Sequence, residues 1–376
     1  MPVPSQQEQE RRKRLGINAE TVTNVSSTDF PGHWPGEDHS WDLDYFKNNF
    51  RVHFHTNSPL DSSFSLTSID TSLANAFRRI LIAEIPTLAI ENVFIFQNTS
   101  IIQDEVLAHR LGLIPLRGDR SALSWMKWYK RPDPGDPAAV PPELTDYNCG
   151  ILQLEVKCQW QDGGLQRAAA GETDPNKLYL HHSVYAKDIE WKPVGRQIDL
   201  FAKDKPLEPC NPDILIAKMR PGQKIQLMMH AFKGIGQDHA KFSPVATASY
   251  RLLPTIDILS PIIGPDAKKF ARCFPKGVIN LEPITRADIR QNKELEGKEN
   301  ELKAVVKDPM RDTVSRECLR HPEFKDKVKL GRVRDHFIFR VESTGQWDSD
   351  ELFLESVRLL KVKCQRVKRG LEALTR

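Results

Sequence analysis

The sequence has few of the features that mark membrane and secreted proteins. No stretch approaches the roughly 18–20 apolar residues that a membrane helix needs, and residues 1–10 lack the apolar core of a secretory signal. The six cysteines lie far apart without a CxxC pair, a pattern typical of reduced thiols that serve as small apolar side chains. We therefore predict an intracellular protein that does not contact a membrane.

The common catalytic and metal-binding motifs are missing as well. The chain has no glycine-flanked serine elbow, no HExxH, no closely spaced Asp triad and no phosphate-binding loop. Cys273, Cys318 and His321 could be imagined as a metal site, but a fourth ligand is absent and structural zinc takes four. His109 and Arg110 have no visible carboxylate or nucleophile partner, so packing and hydrogen bonding are their expected roles. We predict a protein without catalytic residues, cofactor or metal.

The chain also lacks a large excess of basic charge. It carries 54 Lys and Arg against 50 Asp and Glu, a net charge of +4, whereas a protein that binds nucleic acid on its own usually has a concentrated basic excess. This balance argues against a stand-alone basic DNA-binding transcription factor, which stays only as the alternative hypothesis. Any DNA contact is expected to be local. The basic cluster at residues 11–14 has two interpretations, a solvated tail or a nuclear targeting element.

The most informative feature that is present is a short amphipathic helix. Its first turn can be capped by one of residues 70–72, and Pro86 cannot continue it. A second short helix is predicted to begin with Asp104 and Glu105, which favour a helix N-terminus. The apolar residues of the first helix recur on one face at helical spacing: Leu73, Phe77, Ile80 and Leu81.

Patterns elsewhere predict mainly strands and loops. Residues 1–44 show little apolar periodicity, residues 117–148 are crowded with proline, and the two glycines of residues 233–244 favour a structural turn with close backbone approach. Residues 288–306 are dense in Lys, Glu and Asn, which suggests an exposed helix. Alternation and β-branched or aromatic content predict strands at 50–55, 88–96, 151–156, 184–191, 225–231, 246–252 and 336–342.

A long C-terminal helix has the strongest periodicity in the chain. Asp348 and Glu351 suggest a capping arrangement at its start. The apolar residues that follow are spaced alternately by four and three, a heptad seam over about three heptads. The seam packs either in the core of this chain or against a partner helix. Its members are Phe353, Val357, Leu360, Cys364, Val367, Leu371 and Leu374.

Two motifs together resemble the signature of the alpha-like subunits of cellular RNA polymerases, of the larger archaeal and eukaryotic type. The first is residues 75–79 (NAFRR) and the second is residues 104–111 (DEVLAHRL). The resemblance extends over roughly residues 45–376. The signature positions are Asn75, Asp104, Glu105, His109 and Arg110.

The cysteine pattern resembles one branch of that family. Relatives in RNA polymerase II carry a zinc loop of four clustered cysteines, where this chain has only Cys149 and Cys158 nearby. Archaeal relatives often carry a ferredoxin-like cluster domain, whose counterpart at about 260–330 keeps only Cys273 and Cys318. Both losses resemble the branch shared by eukaryotic RNA polymerases I and III.

The resemblance implies an α+β architecture and a non-catalytic assembly role. A flexible tail (1–44) would precede a dimerisation domain split into 45–90 and 253–376, with a cluster-less ferredoxin-like subregion at 260–330. An inserted β-rich domain would occupy 91–252. The partners would be a smaller alpha-like subunit, which forms a heterodimer, and then the second-largest and largest polymerase subunits, in the nucleus and nucleolus.

The resemblance also implies two contact surfaces. Arg78 and Arg79 would hold the second-largest subunit by charge-assisted hydrogen bonds. The heterodimer interface would be formed by Leu73, Phe77, Leu81, Phe353, Val357, Leu360, Cys364, Val367 and Leu371.

Overall fold

A computed structural model describes residues 12–24, 41–129, 143–202 and 204–375. The fold is mixed α and β with several antiparallel sheets, which confirms the predicted class. The strands are β1 (Arg14–Ile17), β2 (Val22–Thr23), β3 (Arg51–Asn57), β4 (Asp61–Thr67), β5 (Thr87–Asn98), β6 (Leu116–Arg117), β7 (Gly150–Lys157), β8 (Gln159–Trp160), β9 (Tyr179–Leu180), β10 (Ser183–Tyr185), β11 (Ile189–Trp191), β12 (Glu208–Pro209), β13 (Leu215–Lys218), β14 (Lys224–Gly234), β15 (Val245–Ile258), β16 (Ile279–Pro283), β17 (Leu302–Val306) and β18 (Val328–Ser343).

The α-helices are mostly short, and the longest lies at the C-terminal end. No helix in the described ranges is both long enough and apolar enough to cross a bilayer. The helices are α1 (Leu43–Asn49), α2 (Thr71–Ala83), α3 (Asp104–Gly112), α4 (Arg120–Trp125), α5 (Gly164–Ala169), α6 (Pro175–Leu178), α7 (Gln197–Leu200), α8 (Gly264–Arg272), α9 (Arg286–Gln291), α10 (Pro322–Lys325) and α11 (Ser349–Leu374).

The chain divides into two compact units. The first contains residues 1–55, 64–74 and 250–339, and the second contains residues 56–63, 75–249 and 340–376. These units differ from the division implied by the family resemblance: most of α2 and all of α11 fall in the same unit as residues 84–249. A division by compactness does not test the family's domain boundaries. The split dimerisation domain, the inserted domain and the ferredoxin-like subregion stay predictions.

The first unit holds most of a six-stranded sheet with the strand order β2-β1-β18-β4-β3, in which β15 also pairs with β18. Strand β1 lies antiparallel to β18, with Gly16 opposite Gly331. A Cβ on Gly331 would clash with the Leu15 carbonyl oxygen and the Thr255 hydroxyl, so this close approach depends on glycine. Part of the segment predicted as a tail is therefore regular structure. Of the basic cluster, residue 11 lies outside the described residues, and Arg14 pairs with Asp257 at 3.1 Å.

One expectation for the first unit is wrong. The charged segment 288–306 is not a helix throughout: α9 ends at Gln291, and residues 302–306 form β17, which pairs with β16. Gly297 has a φ of +80°, which ends any helical run. Ala304 is buried in the apolar cluster around Phe270, so tertiary packing overrides the charged composition.

The second unit is built on a four-stranded sheet with the order β11-β7-β14-β5. Its inner face and α3 enclose an apolar core in which Leu107, Leu111 and Leu227 have no exposed surface. The strands predicted at 88–96, 151–156 and 225–231 are confirmed as β5, β7 and β14. The strand predicted at 184–191 is two strands, β10 and β11, separated by a 3₁₀ turn over Ala186–Asp188.

The proline-rich region of the second unit is only partly irregular. Helix α4 forms at Arg120–Trp125, inside the segment predicted as a loop, and Asp119 caps it by accepting from the N–H groups of Ser121 and Ala122. Residues 130–142, where most of the prolines lie, are outside the described residues.

Candidate subunit interface

Helix α11 is buried at its start and exposed along the rest of its length. Leu352 and Phe353 are 0% and 6% exposed, whereas Val367 and Leu371 are 63% and 59% exposed. Beyond its first member, the seam is exposed in the described part of this chain except at Leu360, which is half-buried. The internal-core interpretation holds for the first two turns, and from Val357 onward the seam is a largely exposed apolar stripe.

The start of α11 is fixed by ion pairs and by a buried serine. The predicted capping arrangement is wrong: Asp348 lies at the N-cap position, but its side chain makes no capping hydrogen bond and instead accepts from Arg117 at 3.1 Å. Glu351 pairs with Arg120. The buried Ser349 hydroxyl donates to the Ser58 carbonyl oxygen at 2.6 Å. These contacts tie the first turn of α11 to the second unit.

Helix α2 and Glu84, the residue that follows it, both contact α11. The rings of Phe77 and Phe353 meet edge to face, with centroids 5.5 Å apart. Lys363 donates to both carboxylate oxygens of Glu84, at 2.7 and 2.9 Å. Glu84 comes directly after the apolar stripe of α2, where a charged side chain is unexpected. Its ion pair with Lys363 explains why a carboxylate occurs there.

The α2 residues assigned to the heterodimer interface face mainly into this chain. Leu81 has no exposed surface and Phe77 is 8% exposed. Leu73 is half-buried. Phe77 therefore packs against the start of α11, and Leu81 is enclosed within this chain. The accessible part of the proposed interface is the α11 stripe, in which Leu360 is half-buried and the others are exposed: Val357, Leu360, Cys364, Val367 and Leu371.

The arginine pair of α2 is divided between two environments. Arg78 donates through Nε and Nη2 to the Asn75 side-chain oxygen, at 3.1 and 3.0 Å. Arg79 is exposed, and within the described residues its side chain has no ion pair or hydrogen bond. The sequence could have indicated the first contact, because residues three apart are neighbours on a helix. Of the two, Arg79 is the one available to another molecule.

The second signature motif is mainly structural. Asp104 accepts from the Asn98 side chain at 2.7 Å at the start of α3. Arg110 donates to the carbonyl oxygens of Leu215 and Ile216, at 2.7 and 3.3 Å, and so joins α3 to β13. Glu105 and His109 are exposed. The predicted hydrogen-bonding role is confirmed for Arg110, whereas the predicted packing role is not shown for His109 or Arg110, since both are exposed.

The segment 233–244 contains a half-buried cation that the sequence analysis did not single out. The Lys233 ammonium donates to the carbonyl oxygens of Leu123 and Met126, at 2.9 and 3.0 Å, at the end of α4. Burial and the nearby Arg358 lower its pKa. The predicted close backbone approach is confirmed at Gly236, where a Cβ would overlap the Ile82 carbonyl oxygen.

Three of the cysteines (Cys149, Cys158 and Cys318) are buried, Cys210 and Cys273 are half-buried, and Cys364 is exposed on α11. Burial raises the pKa of Cys149, Cys210 and Cys318 to about 12, so these thiols stay protonated at neutral pH. Across the described ranges, no group of three or more His, Cys, Asp or Glu side chains could hold a metal ion. The absence of metal and cofactor stays a prediction.

Comparison with known proteins identifies the family. The family model described as the RNA polymerase Rpb3/Rpb11 dimerisation domain matches residues 63–364. The chain belongs to this family. The match includes all of α2 and more than half of α11. The apolar stripe of α11 therefore begins within the region that matches a dimerisation domain.

Relatives of the same family cover nearly the whole chain. The "DNA-directed RNA polymerases I and III subunit RPAC1" of Saccharomyces cerevisiae is 49% identical over 354 residues, 94% of this chain and 97% of that protein. The protein of the same name from Homo sapiens is 45% identical over 373 residues, 98% of each chain. The "DNA-directed RNA polymerases II, IV and V subunit 3" of Arabidopsis thaliana is 31% identical over 82% of this chain and 86% of its own length.

Proposed function

We propose that this chain is the larger alpha-like subunit shared by RNA polymerases I and III, and that it acts in the nucleus as a non-catalytic assembly platform. The observation that carries the proposal is the 49% identity, over nearly the full length, to a yeast subunit of those two enzymes. The lower identity to a subunit of polymerases II, IV and V supports the choice of branch.

The uncovered half of α11 supports the assembly role. An apolar stripe that runs along an exposed helix is costly in water unless another molecule covers it. The smaller alpha-like subunit would cover this stripe with a helix of its own. Formation of that heterodimer would then precede the binding of the two large subunits.

Arg79 would provide a second contact, toward the second-largest subunit. An exposed guanidinium without an ion-pair partner can form two parallel hydrogen bonds to a carboxylate. Arg78 would contribute less, because Asn75 already accepts two of its hydrogen bonds. Of the two arginines, Arg78 would therefore be held within this chain by Asn75, and Arg79 would contact the second-largest subunit.

Affinity purification of the tagged chain from its own cells tests this function. We expect the largest subunits of both polymerase I and polymerase III to copurify, with a smaller alpha-like subunit at equal stoichiometry. Recovery of the chain alone, or with subunits of one polymerase only, would contradict the shared role. The alternative of a stand-alone DNA-binding factor predicts instead a strongly salt-dependent affinity of the isolated chain for duplex DNA.

A further inference from the structure

The positions beside the exposed stripe of α11 carry one sign of charge. The largely exposed part of the seam includes Leu360, Cys364, Val367 and Leu371. Lys361 and Lys368 occupy the flanking positions that directly follow Leu360 and Val367. Lys363 occupies the flanking position directly before Cys364. The stripe and its flanks form an open, mostly apolar surface patch, lined by Lys363, Cys364, Val367, Lys368, Leu371 and Glu372. Flanking positions of this kind decide which helix pairs with which.

These lysines are only partly neutralised within the chain. Lys363 is held by Glu84 at 2.7 Å. Lys368 is 3.9 Å from Glu372, one turn further along α11, and its side chain is 78% exposed. Lys361 is exposed and has no ion pair to another described residue. Lys361 is thus unpaired within the described residues and Lys368 is only weakly paired, so both can interact with whatever covers the seam.

A second copy of the same helix would be an unfavourable partner. In a parallel pair Lys363 of one copy would face Lys368 of the other, and in an antiparallel pair lysines would again lie opposite lysines. Like charges at such positions weaken pairing, whereas opposite charges strengthen it and fix the partner. The flanks therefore select against self-association and for an acidic helix.

We infer that the α11 seam is completed by an amphipathic helix of another subunit that carries Glu or Asp beside its apolar stripe, opposite Lys361 and Lys368. This inference rests on the proposed function and adds the charge pattern of the partner. Charge complementarity sets the choice of partner, and the apolar stripe supplies most of the affinity.

Two synthetic helical peptides test the inference directly. Both carry the same Leu/Val stripe, and they differ only at the flanking positions, which are all Glu in one and all Lys in the other. With the purified full chain at low salt, the Glu peptide should bind about tenfold more tightly than the Lys peptide, since each flanking pair contributes a few-fold at most. The difference should shrink at high salt because the pairs are exposed.

Matched variants of the full chain locate the effect. The double variant Lys361→Glu/Lys368→Glu should invert the peptide preference. The control Arg366→Glu/Arg369→Glu changes the net charge equally on the faces away from the flanks and should keep the preference for the Glu peptide. Val367→Asp should abolish binding of both peptides.

Each of three results would overturn the inference: equal affinity for the two peptides, the same inversion in the control variant, or binding of neither peptide. A purified full chain that sediments as a stable dimer of its own copies would also overturn it. If polymerase subunits copurify but no charge preference is found, this inference fails alone. If the preference is found without polymerase subunits, the proposed function fails alone.

Discussion

The rings of Phe77 and Phe353 meet edge to face at 5.5 Å, one on α2 and the other on the second turn of α11. This contact divides α11 into an anchored beginning and an exposed remainder. Phe353 is 6% exposed, and Val357, the next seam residue, is 41% exposed. Stability of the isolated chain and assembly with a partner should therefore depend on different residues of one helix.

Truncation of Phe353 should destabilise the isolated chain. Phe353→Ala removes a buried ring and its contact with Phe77, so the free energy of unfolding should fall by about 3–5 kcal/mol. Val367→Ala removes an exposed side chain and should change it by less than about 0.5 kcal/mol. Denaturant unfolding of both variants measures the difference, and equal losses would contradict the division of α11.

Charge placed in the exposed stripe should prevent heterodimer formation. Leu360→Asp/Val367→Asp buries two carboxylates on association, which costs several kcal/mol per unpaired charge. Copurification with the smaller alpha-like subunit measures the effect. Gln365→Asp, on a different face of α11, serves as the control and should assemble normally. Unchanged recovery of the double variant would show that the stripe is not the interface.

Reversal of Arg79 should affect a later step of assembly. Arg79→Glu should keep the heterodimer and reduce recovery of the second-largest subunit, because a carboxylate cannot replace the guanidinium at an acidic contact. Arg79→Lys should restore recovery in part, since the charge returns without the bidentate geometry. Loss of the heterodimer itself in Arg79→Glu would place the residue at the other interface.

A histidine pair should make the first unit less stable in acid. The buried Ser65 hydroxyl lies 2.7 Å from His55 Nε2 and 2.9 Å from His336 Nε2. Burial lowers the pKa of both imidazoles. The nearby His53 lowers that of His55 further, whereas Asp308 and Asp335 oppose the shifts. Since the folded-state pKa values lie below that of an unfolded histidine, their contribution to stability is complete above about pH 6.5 and is lost as the pH falls through the folded pKa values.

Thermal unfolding between pH 7.5 and 5 tests this dependence. The melting temperature of the wild-type chain should fall more steeply with acidification than that of His336→Gln, which removes one of the two titrations. His109→Gln, at an exposed position of α3, is the control and should follow the wild-type curve. Parallel curves for all three proteins would exclude the histidine pair as a source of acid sensitivity.

The sequence predicted the elements whose local pattern agrees with their final environment. The strands β5, β7 and β14 alternate or are rich in β-branched residues, and they lie in a half-buried sheet. Helix α2 was recognisable from its apolar stripe, and the cap predicted within residues 70–72 is Asp70, which accepts from the Ser72 N–H at 2.7 Å.

Other elements depend on contacts far along the chain and could not be predicted locally. Strand β1 exists because residues 14–17 pair with residues 330–333, and β17 exists because it pairs with β16. Asp348 fails as a cap because the distant Arg117 binds its carboxylate. For the candidate interface, periodicity predicted the α11 stripe, but only the fold shows that Leu81 is enclosed while Val367 is exposed.

Amide hydrogen exchange along α11, in the isolated chain and in the purified polymerase, tests the central claim most directly. If a partner subunit covers the exposed stripe, residues 357–374 should exchange rapidly in the isolated chain and become strongly protected in the assembly. Residues 349–356 should be protected in both states, because they are already packed in this chain. Equal exchange of residues 357–374 in the two states would show that nothing covers the stripe and would contradict its role as a subunit interface.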